Sequence, residues 1–83
     1  MRLGNNKIMN RLKEIREDKD LLQSDIAKIL GMSQNGYSLY ENGERKIPVD
    51  KLRILADFYN TSIDYLLYET DVRNRYPKSL LKK

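Results

Sequence analysis

Between Gly31 and Lys46 the chain reads GMSQNGYSLYENGERK, and Gln34, Asn35, Ser38 and Leu39 are the residues there whose types could do recognition chemistry. Each amide holds a donor and an acceptor side by side, the pattern that pairs bidentately with the N6 and N7 edge of adenine. A serine hydroxyl bonds either kind of group, and a lone leucine suits the methyl of thymine. At about 100° per residue, Asn35, Ser38, Leu39 and Asn42 share one side of a helix, with Tyr37 and Tyr40 on the other. Solvated helix faces usually carry Lys and Glu, so an uncharged amide face points toward base edges in the major groove of duplex DNA. A purely local reading stands beside it, in which Asn and Ser near a helix start serve only backbone groups.

Other chemistries are poorly supplied. The 83 residues include no cysteine and no histidine, which removes disulfides, thiolate nucleophiles, the commonest general base and the commonest zinc ligands together. No catalytic or metal-ligating set is expected, and no cofactor. Carboxylates such as Asp57 and Asp64 form no helix-spaced pair with a base or ligand beside them. No apolar run approaches the roughly 20 residues needed to span a bilayer, and MRLGNNKIMN lacks the apolar centre of a signal peptide, so a soluble cytoplasmic protein is expected. The net charge of +4 is unevenly spread: residues 72–83 hold five basic side chains and no acid, while residues 1–71 carry 11 basic and 12 acidic ones. A case for nucleic acid therefore rests on local arrangement rather than on overall charge.

The elements that must position these residues follow from apolar periodicity. Spacing is helical throughout, predicting an all-α domain over residues 1–70 with a basic extension over 71–83. The first helix is expected at about 6–18 with Ile8, Leu12 and Ile15 as its buried stripe, and the second at about 23–30, burying Ile26, Ala27 and Leu30 and stopped by Gly31. Ser33 caps a third helix that runs to about residue 42, where Gly43 ends it. Pro48 opens a fourth, with Val49, Leu52, Leu55, Ala56 and Tyr59 facing inward, and Thr61 or Ser62 caps a fifth that carries Ile63, Leu66 and Leu67. After Tyr68 the pattern stops, and the segment broken by Pro77 reads as an extension ordered by contact with a neighbour.

The stretch QSDIAKILGMSQNGYSLY, Gln23 to Tyr40, resembles the helix-turn-helix of the lambdoid phage repressor and Cro-like family, and the resemblance covers about residues 8–68. Gln23 opens the first helix of the unit, Ala27 is the small residue at the crossing, Gly31 makes the turn, Ser33 caps the second helix, and Tyr37 and Tyr40 anchor it. The resemblance implies a compact five-helix, lambda-repressor-like DNA-binding domain with its motif at helices 2 and 3. It also implies a phosphate contact for Gln23 and a structural ion pair between Arg16 and Glu41. Two positions depart from the family: Leu22, where Thr or Ser is common, leaves the cap of the second helix to Ser24 or Asp20, and Tyr37, where Ile or Val is usual, needs a partner for its hydroxyl.

The expected contacts divide into two groups. Gln34, Asn35, Ser38 and Leu39 read bases; Gln23, Ser33, Gly36, Asn42, Arg45 and Lys46 hold the DNA backbone. Glycine at 36 costs a helix about 0.5–1 kcal/mol relative to alanine, offset by close approach of its backbone to a phosphate or to a packed neighbour. Arg45 and Lys46 can also be read as a solvated turn. Tyr59, Tyr65, Tyr68 and Tyr76 are read as core and interface residues rather than base-stacking platforms. The expectation is a sequence-specific transcriptional regulator, most simply a repressor, that binds a double-stranded operator as a homodimer. The rival expectation is an antitoxin or antirepressor of the same fold, whose main partner is another protein.

Overall fold

The computed structural model describes residues 9–75, and among these it has five helices and no strand: α1 (Leu12–Asp18), α2 (Gln23–Leu30), α3 (Gln34–Glu41), α4 (Val49–Phe58) and α5 (Ile63–Leu66). Each helix stops in the same way. The residues at positive φ are Asp20, Gly31, Gly43, Asn60 and Tyr68, one just past the end of each helix. After each of them, the next amide reaches back five residues, as in Met32 N–H to the Ala27 carbonyl (3.0 Å) and Glu44 N–H to the Leu39 carbonyl (2.9 Å). These Schellman closures satisfy carbonyls that a helix end would otherwise leave bare. Gly31 and Gly43 adopt the left-handed conformation without strain, whereas Tyr68, at φ 66°, needs support from its surroundings.

The core is built from one stripe of each helix. Leu12 and Ile15 of α1, Ile26, Ala27 and Leu30 of α2, Tyr37 and Tyr40 of α3, Leu52, Leu55 and Ala56 of α4, and Leu66 of α5 are all buried together with Ile47 and Tyr59. Here the structure corrects several sequence expectations. The first helix starts at Leu12 rather than near residue 6, because Asn10 turns the chain: its Oδ1 accepts the Leu12 N–H (3.0 Å) and its Nδ2 donates to the Tyr40 carbonyl (2.8 Å). Ile8, placed on the buried stripe, lies outside the described residues. Val49 is exposed on the first turn of α4, and Ile47, in the extended approach to Pro48, takes the inward place. Neither Ser24 nor Asp20 caps α2; the Asp25 carboxylate reaches back to accept the Leu22 N–H (2.8 Å) while Leu22 itself is exposed.

A further correction concerns the segment after α5. Residues 69–75 lie against the body without a neighbour, while the rest of the expected extension, from Tyr76 to Lys83, lies outside the described residues. Arg11, whose side chain is stacked 4.2 Å from the ring centroids of both Tyr65 and Tyr68, donates to the carbonyls of Tyr65 and Thr70 and to the Asp71 carboxylate. The Thr61 hydroxyl donates to the Arg73 carbonyl, and Arg75 donates to Asp57 at 2.8 Å. These contacts, with the Tyr68 hydroxyl donating to Glu14 (3.1 Å), hold Tyr68 in its strained conformation. Among the described residues no helix is long and apolar enough to cross a membrane.

Candidate nucleic-acid interface

The orientation of α3 is set from both ends. At its start the Ser33 hydroxyl accepts the Gly36 N–H (3.0 Å), which fixes the first turn. At its end Glu41, its side chain 1% exposed, receives a bidentate grip from Arg16, Nε to Oε2 at 2.6 Å and Nη2 to Oε1 at 3.0 Å. The third arginine nitrogen is spent on the Leu21 carbonyl (2.8 Å), so α1, the loop before α2 and the end of α3 meet at one guanidinium. Burial alone would push the Glu41 carboxyl up, but the hydrogen bonds from Arg16 and Gln23 and the arginine's charge outweigh it and hold the group below its ordinary value. The bond to Glu41 correspondingly raises Arg16.

Gln23 extends this network to the front of α3. Its Nε2 donates to Glu41 (3.1 Å), and its Oε1 stands 3.4 Å from Nε2 of Gln34, so one amide from the start of α2 braces another on the first turn of α3. Gln34 and Asn35 are exposed; Ser38 and Leu39 are half-buried on the next turn. Beyond the helix, Asn42, Arg45 and Lys46 are exposed, and among the described residues neither Arg45 nor Lys46 is in an ion pair. The exposed start of α3 is thus an uncharged amide surface, and two cations follow the helix.

Gly36 has a reason within the protein. A Cβ there would meet the Met32 methyl at 3.0 Å and the capping Ser33 hydroxyl at 3.1 Å, so the glycine leaves room for the turn and the cap. Its N–H is consumed by that cap, as is an acceptor site of Ser33. Behind the network, Tyr37 is fully buried and edge-to-face with Tyr40, their centroids 6.4 Å apart. The Tyr37 hydroxyl sits beside the Glu41 carboxylate yet, among the described residues, meets no acceptor in hydrogen-bonding geometry, and among them the buried Tyr59 hydroxyl is also without a partner. Burial first, then the nearby carboxylate, raises the Tyr37 hydroxyl far above its ordinary range and pushes that of Tyr59 up to about 12. The helices pack tightly around Tyr37, and what is missing is a partner for its oxygen.

Sequence reasoning missed Asn10 and Arg11. Asn10 ties the chain before α1 to the last turn of α3, and Arg11 is the post on which the segment after α5 is hung. The signal was present: an Asn just before an apolar stripe is a helix-start residue, and two tyrosines three apart offer a seat for a cation.

A family model described as helix-turn-helix matches residues 12–66, from the first residue of α1 to the last of α5. The chain belongs to the helix-turn-helix family. An uncharacterised HTH-type transcriptional regulator of Bacillus subtilis, YobD, is 39% identical over 61 residues, covering 74% of this chain and 54% of the relative. The HTH-type transcriptional regulator ImmR of the same organism is 37% identical over 73 residues, covering 88% and 58%. A crystal structure of a transcriptional regulator from Listeria innocua superimposes with a TM-score of 0.67 at 29% identity, over 86% of this chain and 65% of the other. The chain thus spans little more than half the length of these two curated relatives.

Proposed function

We propose that this helix-turn-helix protein is a sequence-specific transcriptional regulator, most simply a repressor, that enters the major groove of an operator with α3. One observation carries the reading: Gln34 and Asn35, uncharged and exposed on the first turn of α3, stand at the end of a helix whose orientation is held by the Arg16–Glu41–Gln23 network. A side chain that reads bases must arrive already aimed, and Gln23 braces Gln34 in that way. Ser38 and Leu39 lie deeper on the same face and would meet the next base pair. Gln23, Ser33, Gly36 and Asn42 border the face, and Arg45 and Lys46 supply the charge for phosphates.

An eight-residue α3 is roughly 12 Å long. Such a helix reads only a few base pairs, so useful specificity calls for a homodimer on a two-fold operator with half-sites about 34 Å apart. On this reading the protein binds rather than catalyses and works in the cytoplasm, where the DNA is. The test is Asn35→Ala. Affinity for a selected operator should fall by about 1–3 kcal/mol, with preference relaxed at one base position and binding to random duplex unchanged. Equal losses on both duplexes would make Asn35 a phosphate contact and refute its assignment.

A further inference from the structure

A cavity of about 390 Å³ lies where the chain enters α4. Its apolar lining comes from separate stretches: Met9 before α1, Ile47, Val49 and Leu52 around the start of α4, and Leu67 just after α5. Ile47 and Leu52 are buried and Leu67 is half-buried, whereas Met9 is 68% and Val49 60% exposed. Apolar side chains from distant parts of the sequence thus border one open space, of the size that small-molecule sites have.

Three charged residues complete the lining: Arg45 and Lys46 from the loop after α3, and Glu69 from the segment after α5. All three are exposed, and among the described residues none is in an ion pair. Two cations against one carboxylate leave the cavity net positive. The Asn10 amide, also in the lining, is already committed, its Oδ1 to the Leu12 N–H and its Nδ2 to the Tyr40 carbonyl. Charge is therefore the polar means of selection left to the site.

We propose that the cavity binds a small amphipathic carboxylate of the medium-chain fatty-acid class, its chain against Ile47, Val49, Leu52 and Leu67 and its carboxylate held by Arg45 and Lys46. Burial of the chain supplies the affinity, and the two cations favour a carboxylate over a neutral or cationic amphiphile. Glu69 narrows that preference without reversing it. Arg45 and Lys46 are also the residues assigned above to DNA phosphates. Resting on that reading, the ligand competes with the DNA backbone for them and loosens the protein's grip on its operator.

The test titrates the full-length protein, methyl-labelled at Met, Ile, Leu and Val and free of DNA, with decanoate and separately with decylammonium. Decanoate should give saturable shifts at Met9, Ile47, Val49, Leu52 and Leu67, leave Ile29 and Ile54 in place, and bind more tightly than the ammonium. Arg45→Gln/Lys46→Gln should reverse that order, because Glu69 then stands alone. Val49→Gln, an exposed position outside the DNA-contacting set, should weaken decanoate about tenfold by placing an amide in the apolar lining. Absence of saturation, equal binding of the two amphiphiles, or shifts spread over Ile29 and Ile54 as a detergent would give, would overturn the site. Decanoate should also weaken duplex binding by the parent and not by Val49→Gln; binding that left duplex affinity unchanged would overturn the competition. A parent that bound no duplex would overturn the DNA reading and the competition with it, while the titration, made without DNA, still decides the site.

Discussion

Arg16→Met should remove much of the stability of this domain. Glu41 would remain with its side chain 1% exposed and no cation among the described residues to meet its charge, and the Leu21 carbonyl would lose its donor as well. Removing one member of a buried ion pair costs about 3–5 kcal/mol. A domain of this size has roughly 4–12 kcal/mol in all, at about 0.05–0.15 kcal/mol per residue. With a urea slope near 1 kcal/mol/M, the midpoint should fall by about 3 M or more, read by circular dichroism. Arg16→Met/Glu41→Leu should recover most of the loss, since it is the unpaired charge and not the absent pair that is costly.

The sign of the pH response separates the two states of this site. In the parent protein Glu41 is held below its usual 4.5, so its contribution is present above that pH and is lost as pH falls through the depressed folded value. In Arg16→Met the same carboxyl is buried without its cation and is driven up, so acidification should narrow the gap between variant and parent. A cost under about 1 kcal/mol that ignored pH would mean that the pair behaves as a surface bridge, and the account of how α3 is oriented would fail.

Replacing Arg45 and Lys46 together with Ala should weaken binding to all duplexes and flatten the slope of log K against log salt by up to about 0.9 for each phosphate no longer neutralised; an unchanged slope returns them to a solvated turn. Tyr37→Phe and Tyr59→Phe each remove a buried hydroxyl without a partner, so thermal melts should show no loss and up to about 1 kcal/mol of gain, whereas a drop in stability beyond that size would reveal a bond. Between pH 10 and about 12 the parent should lose stability, because the unfolded chain ionises Tyr59 while the folded one resists, and Tyr59→Phe should blunt that loss. Gly31→Ala should cost about 1–2 kcal/mol through the positive φ alone, since among the described residues nothing beyond the adjoining chain lies within 4 Å of the added methyl.

How much was legible depends on whether a residue acts through its neighbours in sequence or through the fold. The second and third helices and their stops at Gly31 and Gly43 could be read because a glycine at a helix end has one dominant use, and the start of the fourth because Pro48 suits a helix opening. The stop at Tyr68 obeys the same geometry, but its left-handed conformation could not be read locally, since a tyrosine there is supported by Arg11 and Glu14 from across the fold. Asn10 pulled the start of α1 inward by bonding Tyr40, a partner thirty residues away, and Ile47 displaced Val49 from the core through an extended segment that no helical period describes. The amide face was readable from spacing, whereas the bracing of Gln34 by Gln23 required two helices to be placed first.

The central claim, that the exposed face of α3 reads a defined duplex, is tested most directly by selecting bound DNA from a random pool with the parent protein and with Gln34→Ala/Asn35→Ala. The parent should enrich a two-fold symmetric motif whose half-sites lie about one helical turn apart, and the variant should lose information at matching positions of both half-sites. Enrichment of no motif by the parent, or of an identical motif by the variant, would contradict the central claim.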